Sequence, residues 1–327
     1  MSWNQQTVLV TGAGGFIGSH LVERLVHLGA KTRALVRYTS SGSWGWIDRS
    51  PLKDQIEVFA GDIRDRDSLS QPMKGVEVVF HLAALIGIPY SYHTPLSYLR
   101  TNAEGTLNVL HAALEAGVKL VVQTSTSEVY GTARTIPINE SHPLQGQSPY
   151  SASKIAADKL AEAFHLSFGL PVATVRPFNT YGPRQSARAI IPTIITQAVT
   201  GDQVRLGNLR PVRDFNYVAD TVDGFIRTAE SDKTVGQVIN IGSGREIAID
   251  RLAMTILELL GKPRPILFDE QRVRPPHSEV ERLCADTTKA RTLLGWQPRY
   301  SLEQGLKETI EWIQTSLETY RSGVYAV

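Results

Sequence analysis

The sequence has little sulfur with which to bind a metal or close a disulfide. Cys284 is the single cysteine among 327 residues, so an intrachain disulfide and a thiolate metal cluster are both excluded, and we expect no metal site. A lone thiol is ordinary in a reducing compartment. The N-terminus shows no charged segment followed by an apolar run, so the expected location is cytoplasmic.

The sequence also lacks long apolar runs and an excess of charge of either sign. No segment reaches the ~18 apolar residues of a membrane span, and 34 basic residues nearly balance 32 acidic residues. The basic residues form no stripe of the kind that a nucleic-acid groove needs. We therefore expect neither a membrane nor a nucleic acid as partner.

Strand and helix patterns alternate through the first half of the chain. Apolar runs of strand length occur at 7–11, 33–37, 56–60, 76–82, 119–125 and 171–177, and helical patterns occur at 17–28, 98–116 and 150–168. This alternation predicts an α/β fold with a Rossmann-type doubly wound parallel sheet, whose ligands bind at the carboxyl ends of the strands.

Beyond residue 180 the alternation breaks into loops and short helices, which predicts a smaller C-terminal substrate-binding lobe. A strand-like segment at 237–241 indicates that the chain first returns to the sheet. The predicted dinucleotide-binding domain therefore covers 1–180 with a return segment at 214–245. The predicted lobe covers 181–213 and 246–327.

The first predicted strand runs into a glycine-rich turn and then an amphipathic helix. The turn reads Gly12-Ala-Gly-Gly15-Phe16-Ile17-Gly18. Glycines allow a sharp turn and a close approach to a pyrophosphate, and the helix N-terminus offers N–H groups to the anion. We expect Gly12, Gly15, Phe16, Ile17 and Gly18 to bind a nicotinamide dinucleotide.

The cofactor is NADP or NAD. Arg37 ends the second predicted strand, where a fold that prefers NAD usually has an acidic residue. A guanidinium suits the 2′-phosphate of NADP, but a solvated arginine at a strand end explains the residue equally well. The ends of later strands supply the other expected cofactor contacts: Asp62, Ile63, Leu82, Ala83, Ala84 and Thr124.

Tyr150 and Lys154 lie four residues apart at the start of a helical pattern, so both occupy one helical face. A tyrosine titrates near pH ~10, and an adjacent ammonium favours the phenolate and lowers the pKa. The pair predicts a general base toward a sugar hydroxyl. The alternative is a helix with one buried tyrosine and one solvated lysine.

Five arginines follow the break at residue 180, namely Arg184, Arg188, Arg205, Arg210 and Arg213. Planar guanidinium groups suit the phosphates of a nucleotide diphosphate. We expect at least two of the five to be solvated surface residues, and Arg213 is the strongest candidate. The segment 272–282 offers further contacts to base or phosphate, including Arg274 and Glu279.

Together these motifs resemble the extended short-chain dehydrogenase/reductase family, especially its nucleotide-sugar 4,6-dehydratase and epimerase branch. The resemblance covers nearly the whole chain and rests on segments 11–18, 150–154, 176–184, 213–218 and 294–298. It implies a tightly bound, recycled cofactor and a nucleotide sugar between the lobes. It also implies a homodimer through a four-helix bundle of helices 98–116 and 150–168, with Asn102 as a support near the site.

The resemblance also suggests the reaction. Its 4,6-dehydratases have a carboxylate where Glu128 stands, whereas its epimerases have small or hydroxyl residues; Ser127 replaces the aspartate of many dehydratases. Thr126 would then hydrogen-bond the sugar 4-hydroxyl oxygen, Tyr150 would take its proton, and Glu128 would act as both base and acid in water loss. UDP-glucuronate decarboxylases share the Ser-Glu-Val-Tyr-Gly block and are the nearest alternative, followed by 4-epimerases.

Two segments refine the resemblance. The loop 37–48 and the tail 278–283 look most like 4,6-dehydratases of bacterial legionaminic-type pathways, which act on UDP- or GDP-linked N-acetylglucosamine. Trp44 and Trp46 in that loop fit simple packing equally well. The expected substrate contacts are Ser127, Asn179, Arg188, Arg213, Arg274 and Glu279.

Overall fold

The computed structural model describes residues 3–320. The strands are β1 (Thr7–Thr11), β2 (Lys31–Arg37), β3 (Glu57–Gly61), β4 (Val78–His81), β5 (Leu120–Thr124), β6 (Val172–Pro177), β7 (Asn179–Tyr181), β8 (Val204–Leu206), β9 (Val212–Arg213), β10 (Phe215–Tyr217), β11 (Val238–Ile241), β12 (Ile247–Ala248) and β13 (Ile266–Phe268). The α-helices are α1 (Phe16–His27), α2 (Asp67–Met73), α3 (Ile88–His93), α4 (Pro95–Tyr98), α5 (Gly105–Glu115), α6 (Pro149–Phe168), α7 (Ile190–Thr200), α8 (Val218–Glu230), α9 (Ile249–Leu260), α10 (Thr288–Leu294) and α11 (Leu302–Thr315). A π-helical segment, Leu99–Glu104, joins α4 to α5, and a 3-10 segment, Ser127–Tyr130, follows β5.

Seven parallel strands form the central sheet in the order β11-β6-β5-β4-β1-β2-β3. The predicted Rossmann-type doubly wound sheet is therefore confirmed. The strand order reverses at β1, which pairs with β2 on one side and β4 on the other. Ligands of open α/β sheets bind at such a switch point, beyond the carboxyl ends of the strands.

The strand β1 shows why the sheet is buried on both faces. Val8 and Val10 pack into the hydrophobic cluster that includes residues of α1, α8 and α9, whereas Leu9 packs into the cluster that includes residues of α5 and α6. Side chains of a strand alternate between the two faces of its sheet. All three residues are fully buried, as expected for a parallel sheet covered by helices on both sides.

The chain leaves the sheet after β6 and returns at β11, which pairs with β6. Between them, the short strands β7 and β10 pair in parallel, while β8 and β9 pair with the later strands β13 and β12. The boundaries of the two lobes stay a prediction, and residues 1–2 and 321–327 of the predicted ranges lie outside the described residues. Among the helices of residues 3–320, none has the length and apolar character needed to cross a membrane.

Candidate active site

The glycine turn between β1 and α1 is shaped for a close ligand. Gly12 has φ +70°, and a Cβ atom there would lie 2.8 Å from the Ala83 nitrogen. A Cβ atom at Gly18 would lie 2.3 Å from the Gly12 oxygen, so this glycine allows α1 to pack on the turn. Gly15 is the N-cap of α1 and supplies no capping side chain. The first turn of α1 thus offers N–H groups to an anion, as a dinucleotide pyrophosphate requires.

The end of β4 is held beside this turn by a buried hydrogen-bond chain. The Thr11 hydroxyl accepts a hydrogen bond from the Ala83 nitrogen (3.1 Å) and contacts His81 Nδ1 at 2.7 Å, and His81 Nε2 contacts the Thr106 hydroxyl at 3.0 Å. Burial, together with the charge of Lys154, lowers the pKa of His81 to about 3. His81 is therefore neutral and structural. It fixes the half-buried Leu82–Ala84 segment, a support that sequence reasoning missed because its partners are distant in sequence.

The ends of β2 and β3 carry the residues predicted to contact the adenosine. Arg37 is exposed, and Asp62 pairs with Arg64 at 2.5 Å. The hydrogen bond from Arg64 lowers the pKa of Asp62 despite its partial burial, and Arg37 acts in the same direction. Ile63 is buried in the core, where a Cβ atom at Gly105 would lie 2.6 Å from it. Its side chain thus packs under α5.

The loop after β2 rests directly on the glycine turn. The Trp46 nitrogen donates to the Gly14 oxygen (3.0 Å), and a Cβ atom at Gly14 would lie 2.4 Å from the Trp44 oxygen. Trp46 packs edge-to-face on Trp312 with ring centroids 5.9 Å apart, so packing accounts for Trp46. Trp44 remains 38% exposed. Gly14 therefore accommodates this loop, a function that its place in the motif did not reveal.

Tyr150 and Lys154 lie in the first two turns of α6, which a capping box between Ser148 and Ser151 begins. Both side chains are buried. The Lys154 ammonium donates to the Thr124 carbonyl at 2.6 Å. Burial lowers the pKa of Lys154 to about 8, and the nearby Asp158 carboxylate acts in the opposite direction. The alternative of a solvated lysine is therefore wrong.

The predicted lowering of the Tyr150 pKa is also wrong. Burial raises the pKa of the phenol, a hydrogen bond with the Thr126 side chain opposes that shift, and the Glu128 carboxylate adds to it. The physical reason is that a buried phenolate loses its hydration, while the Lys154 ammonium is engaged by the Thr124 carbonyl. At neutral pH Tyr150 is a neutral phenol in this structure.

The segment after β5 brings a hydroxyl and a carboxylate to Tyr150. Thr126 is the N-cap of the 3-10 segment, and its side chain accepts a hydrogen bond from the Glu128 nitrogen at 3.3 Å. Ser127 and Glu128 are both buried. The Glu128 charge acts to raise the pKa values of Tyr150, Tyr92 and Arg213, so Glu128 lies near all three residues. The two sequence blocks therefore meet in one pocket.

Asn102 connects this pocket to the end of β4. Its side chain accepts a hydrogen bond from the Leu85 nitrogen (2.8 Å) and donates to the Leu85 oxygen (2.9 Å) and the Ser153 hydroxyl (2.9 Å). It lies in the π-helical segment Leu99–Glu104, which interrupts the helix predicted over 98–116. Asn102 therefore supports the loop on one side and α6 on the other.

A cluster of charged residues lies within reach of the Glu128 charge. Arg213 pairs with Glu279 at 3.1 Å, and Arg274 pairs with the same carboxylate oxygen at 3.4 Å. Burial lowers the pKa of Arg213, and the Glu128 and Glu279 carboxylates oppose this shift. The Tyr92 hydroxyl contacts the Ser278 hydroxyl at 2.6 Å. Three of the predicted substrate contacts therefore meet here, joined by Tyr92, which sequence reasoning missed.

The remaining arginines are dispersed. Arg188 is exposed, and its guanidinium lies beside Gly87. Its charge opposes the rise that burial causes in the pKa of Tyr98. Arg184 pairs with Glu23 at 3.0 Å and therefore joins the 182–188 loop to α1. Arg205 and Arg210 are exposed, in agreement with the expectation that at least two of the five are surface residues.

Two buried oxygens that accept no hydrogen bond within residues 3–320 belong to residues predicted to bind the cofactor or the substrate. They are Thr124 Oγ1 at the end of β5 and Asn179 Oδ1 at the start of β7. Unpaired buried polar atoms in native proteins are uncommon and call for a partner. Together with the glycine turn, they fit a site that takes a dinucleotide and a polar substrate. Residues 3–320 contain no group of three or more His, Cys, Asp or Glu side chains that could bind a metal ion.

Comparison with known proteins identifies the family. A sequence profile described as GDP-mannose 4,6 dehydratase matches residues 9–309. The chain belongs to this family. The resemblance to the extended short-chain dehydrogenase/reductases, in their nucleotide-sugar dehydratase and epimerase branch, is thereby confirmed, and the protein is an enzyme of the NAD-dependent sugar-nucleotide class.

Members of this dehydratase family with several activities are similar to the chain. It is 36% identical to the UDP-N-acetyl-alpha-D-glucosaminuronate decarboxylase of Bacillus cytotoxicus over 94% of the chain and 97% of that protein. It is 35% identical to the UDP-glucose 4-epimerase of Mycolicibacterium smegmatis over 94% of the chain and 98% of that protein. The crystal structure of DesIV, the dTDP-glucose 4,6-dehydratase of Streptomyces venezuelae with NAD and TYD bound, has a TM-score of 0.86 and 31% identity, covering 97% of this chain and 99% of that one. Family membership therefore leaves the reaction open.

Proposed function

We propose that the protein is a nucleotide-sugar 4,6-dehydratase that converts a UDP- or GDP-linked hexose to its 4-keto-6-deoxy derivative. The observation that carries this proposal is the buried Glu128 carboxylate, which lies in the same pocket as Tyr150 and Thr126. Oxidation at C4 needs the tyrosine and the threonine, whereas water loss across C5 and C6 also needs a carboxylate within reach of C5. Because of the legionaminic-type resemblance, we take N-acetylglucosamine as the sugar.

Each residue has a defined task in this proposal. Thr126 and Tyr150 would hold the sugar 4-hydroxyl, and Tyr150, as the phenolate that a bound cofactor would favour, would receive its proton. The resulting 4-ketone acidifies the C5 hydrogen, which Glu128 removes as a proton. Ser127 is a poor acid, so Glu128 then returns that proton to the leaving C6 hydroxyl, and water departs. When C6 is reduced, C5 takes up one proton, which balances the proton that Tyr150 took from the 4-hydroxyl.

The cofactor would bind on the glycine turn and beside Lys154. When bound, a nicotinamide dinucleotide would supply the hydride acceptor for C4 and the hydride donor for C6, so there is no net redox change. The positive charge of the ring also stabilises a neighbouring phenolate and thus opposes the burial that raises the pKa of Tyr150. We retain NADP and NAD as alternatives, since Arg37 supports the first and the NAD in DesIV supports the second.

The proposal is tested by incubating the protein with UDP-, GDP-, CDP- and dTDP-hexoses and measuring product mass. We expect one sugar nucleotide to lose one water, and failure of the whole panel to lose water would contradict the proposal. The variant Glu128→Gln is expected to fold, to oxidise C4 and to stop before water loss. Glu230→Gln is the matched control, because Glu230 is a partly buried carboxylate on α8 that accepts a hydrogen bond from Trp3 (2.7 Å).

Decarboxylation of a nucleotide-linked uronic acid is the second candidate. It needs a cation facing the C6 carboxylate, and Arg213 lies close enough to Glu128 for the two charges to interact. The Bacillus cytotoxicus decarboxylase is also 36% identical to this chain. Loss of carbon dioxide from a UDP-uronic acid in the same mass assay would favour it. A 4-epimerase would instead change the sugar without changing its mass.

For assembly, we propose a homodimer through a four-helix bundle in which each subunit contributes α5 and α6. These helices pack together within one chain, as the His111 and Phe164 rings at 4.9 Å illustrate. Leu99, in the π-helical segment that precedes α5, and Leu166, on α6, expose 51% and 74% of their surface. Sedimentation equilibrium would test the dimer, and Leu166→Glu should weaken it. A cytoplasmic location stays a prediction.

A further inference from the structure

A buried ionic network lies beneath the catalytic pocket, around the Asp158 carboxylate on α6. Asp158 Oδ2 accepts hydrogen bonds from the Ser125 hydroxyl at 2.6 Å and from Arg176 Nη2 at 2.9 Å. Arg176 Nη1 donates to the Tyr130 hydroxyl at 3.0 Å, which in turn donates to Asn240 at 2.8 Å. The Arg176 and Asp158 side chains are each only 4% exposed, so the network is closed to water.

This network contacts both catalytic blocks. Ser125 and Tyr130 flank the segment that carries Thr126 and Glu128. Asp158 lies one helical turn beyond Lys154, and residues four apart on a helix are neighbours. Hydrogen bonds through one carboxylate therefore join β5, β6 and α6 directly under the groups that must act together.

The network is also incomplete in one place. Asp158 Oδ1 is buried and accepts no hydrogen bond from the residues that the structure describes. An ammonium has three N–H donors, and the one donation found for Lys154 goes to the Thr124 carbonyl. The Asp158 Oδ1 acceptor and the remaining N–H donors of Lys154 thus lie one helical turn apart in a buried region.

We propose that Asp158 is a positioning residue, which holds Lys154 protonated and keeps it in register with the Thr126–Glu128 segment. The effect expected on kcat rests on the proposed function. The effect expected on the protonation of Lys154 does not depend on which sugar is the substrate. Hydrogen bonds to an ionised group are stronger than those between neutral groups, so the Asp158 carboxylate fixes the geometry around it more strongly than a neutral amide would.

The charged and titratable groups around Lys154 are few. Asp158 and Tyr150 face it from α6 and His81 from β4, while Arg176 on β6 is paired with Asp158. His81 and Tyr150 are neutral, so within residues 3–320 Asp158 is the one anion found to favour the ammonium. Burial lowers the pKa of Lys154 to about 8, and Asp158 limits that fall. Without the carboxylate charge, the pKa of Lys154 would fall further, and a smaller fraction of Lys154 would be protonated at neutral pH.

The direct test is 13C NMR of protein labelled at lysine Cε, with the Lys154 resonance assigned by its loss in Lys154→Met. In Asp158→Asn we expect Lys154 to titrate about one pH unit or more below its position in the unaltered protein, as an opposite charge at short range implies. Asp223→Asn is the control, because Asp223 also accepts from an arginine, Arg227, at 2.8 Å but lies on α8. An unchanged Lys154 titration in folded Asp158→Asn would overturn the proposal.

Kinetics provide the second readout, on the sugar nucleotide found by the mass assay. Protonated Lys154 is lost as pH rises through its pKa, so kcat should fall at high pH, and this limb should lie at lower pH in Asp158→Asn. We expect kcat to fall about 10- to 100-fold at neutral pH with KM nearly unchanged, since misplacement of catalytic groups costs rate. A lower kcat with an unmoved pH limb would leave only a structural role and would overturn the proposal.

A second variant guards against misfolding. If the unpaired Arg176 unfolds Asp158→Asn, the double variant Asp158→Asn with Arg176→Met removes both charges of the pair. Loss of the Arg176 charge opposes loss of the Asp158 charge, so the Lys154 titration in the double variant is expected to move in the same direction but by less than in Asp158→Asn. A Lys154 titration that does not move contradicts the proposal. A shifted titration in a protein that dehydrates no sugar of the panel would retain the positioning role and reject the proposed function.

Discussion

Gly12 and Arg213, which are predicted to bind the cofactor and the substrate respectively, are held in place in different ways. Gly12 is held by main chain, at φ +70° and with the Ala83 nitrogen 2.8 Å from where its Cβ atom would be. Arg213 is held by a side chain, through its 3.1 Å ion pair with Glu279. The proposed cofactor side is therefore a preformed surface, whereas the proposed substrate side is a set of two guanidinium groups and one carboxylate, whose charges partly neutralise one another.

The difference has a consequence for binding. A pyrophosphate can approach the N-terminus of α1 without displacing any protein side chain, since no side chain caps this helix. A nucleotide diphosphate that approaches Arg213 and Arg274 must share or replace the Glu279 carboxylate. We thus expect variants on the cofactor side to act through backbone strain and variants on the substrate side to act through charge.

The largest effect is expected for Gly12→Ala. A left-handed conformation costs a residue with a Cβ atom about 1–2 kcal/mol, and the overlap with the 82–83 backbone adds about 1–3 kcal/mol. Gly42→Ala is the control, because Gly42 has φ +68° but no atom within 4 Å of its Cβ position. Urea denaturation and calorimetric titration with NAD and NADP should show that only Gly12→Ala loses dinucleotide binding. Equal stability of the two variants would contradict the claim that the main chain around Gly12 forms a rigid, preformed surface.

The next effect is expected for Arg213→Met. Removing one partner of a buried charge pair costs about 2–5 kcal/mol, so affinity for UDP or GDP should fall at least about 30-fold. Binding of NAD and NADP should remain within about twofold, because Arg213 is not part of the glycine turn. Arg210→Met, an exposed residue of the same segment, should change neither affinity. Loss of dinucleotide binding in Arg213→Met would contradict the claim that Arg213 affects only the substrate side.

An intermediate effect is expected for Arg37→Asp. The exposed guanidinium at the end of β2 is the group that would distinguish a 2′-phosphate from a 2′-hydroxyl. The ratio of NADP to NAD affinity should fall about 10-fold or more, as for the loss of one charge-assisted contact. Arg251→Asp, exposed on α9, should leave the ratio unchanged. If Arg37→Asp also leaves it unchanged, Arg37 is a solvated residue and the main chain alone selects the cofactor.

The smallest effect is expected for Glu279→Gln, which should strengthen ligand binding where the other variants weaken it. The variant removes the anion that Arg213 and Arg274 share, so free UDP or pyrophosphate should bind about 3- to 10-fold more tightly, as expected when a competing charge is lost. Isothermal titration measures this directly. Weaker binding would mean that Glu279 contacts the substrate itself, as the sequence predicts.

The parts of the site that could be predicted are those formed by contiguous sequence. A strand, a glycine turn and a helix in immediate succession predicted Gly12, Gly15 and Gly18, because their geometry depends on adjacent residues alone. The four-residue spacing of Tyr150 and Lys154 predicted a shared helical face for the same reason. Both are local properties that the backbone enforces wherever the segment lies.

The tertiary structure decided what those groups are in chemical terms. Burial, which no local pattern reports, raises the pKa of Tyr150 where the sequence predicted a lowered value. Long-range contacts place Ile63 in the core and Arg184 on α1, and they pair Arg213 with a carboxylate 66 residues away. The sequence thus determined which groups are available and how neighbours are spaced. Their charge states and partners depend on desolvation and on contacts between distant segments, and only the fold determines those.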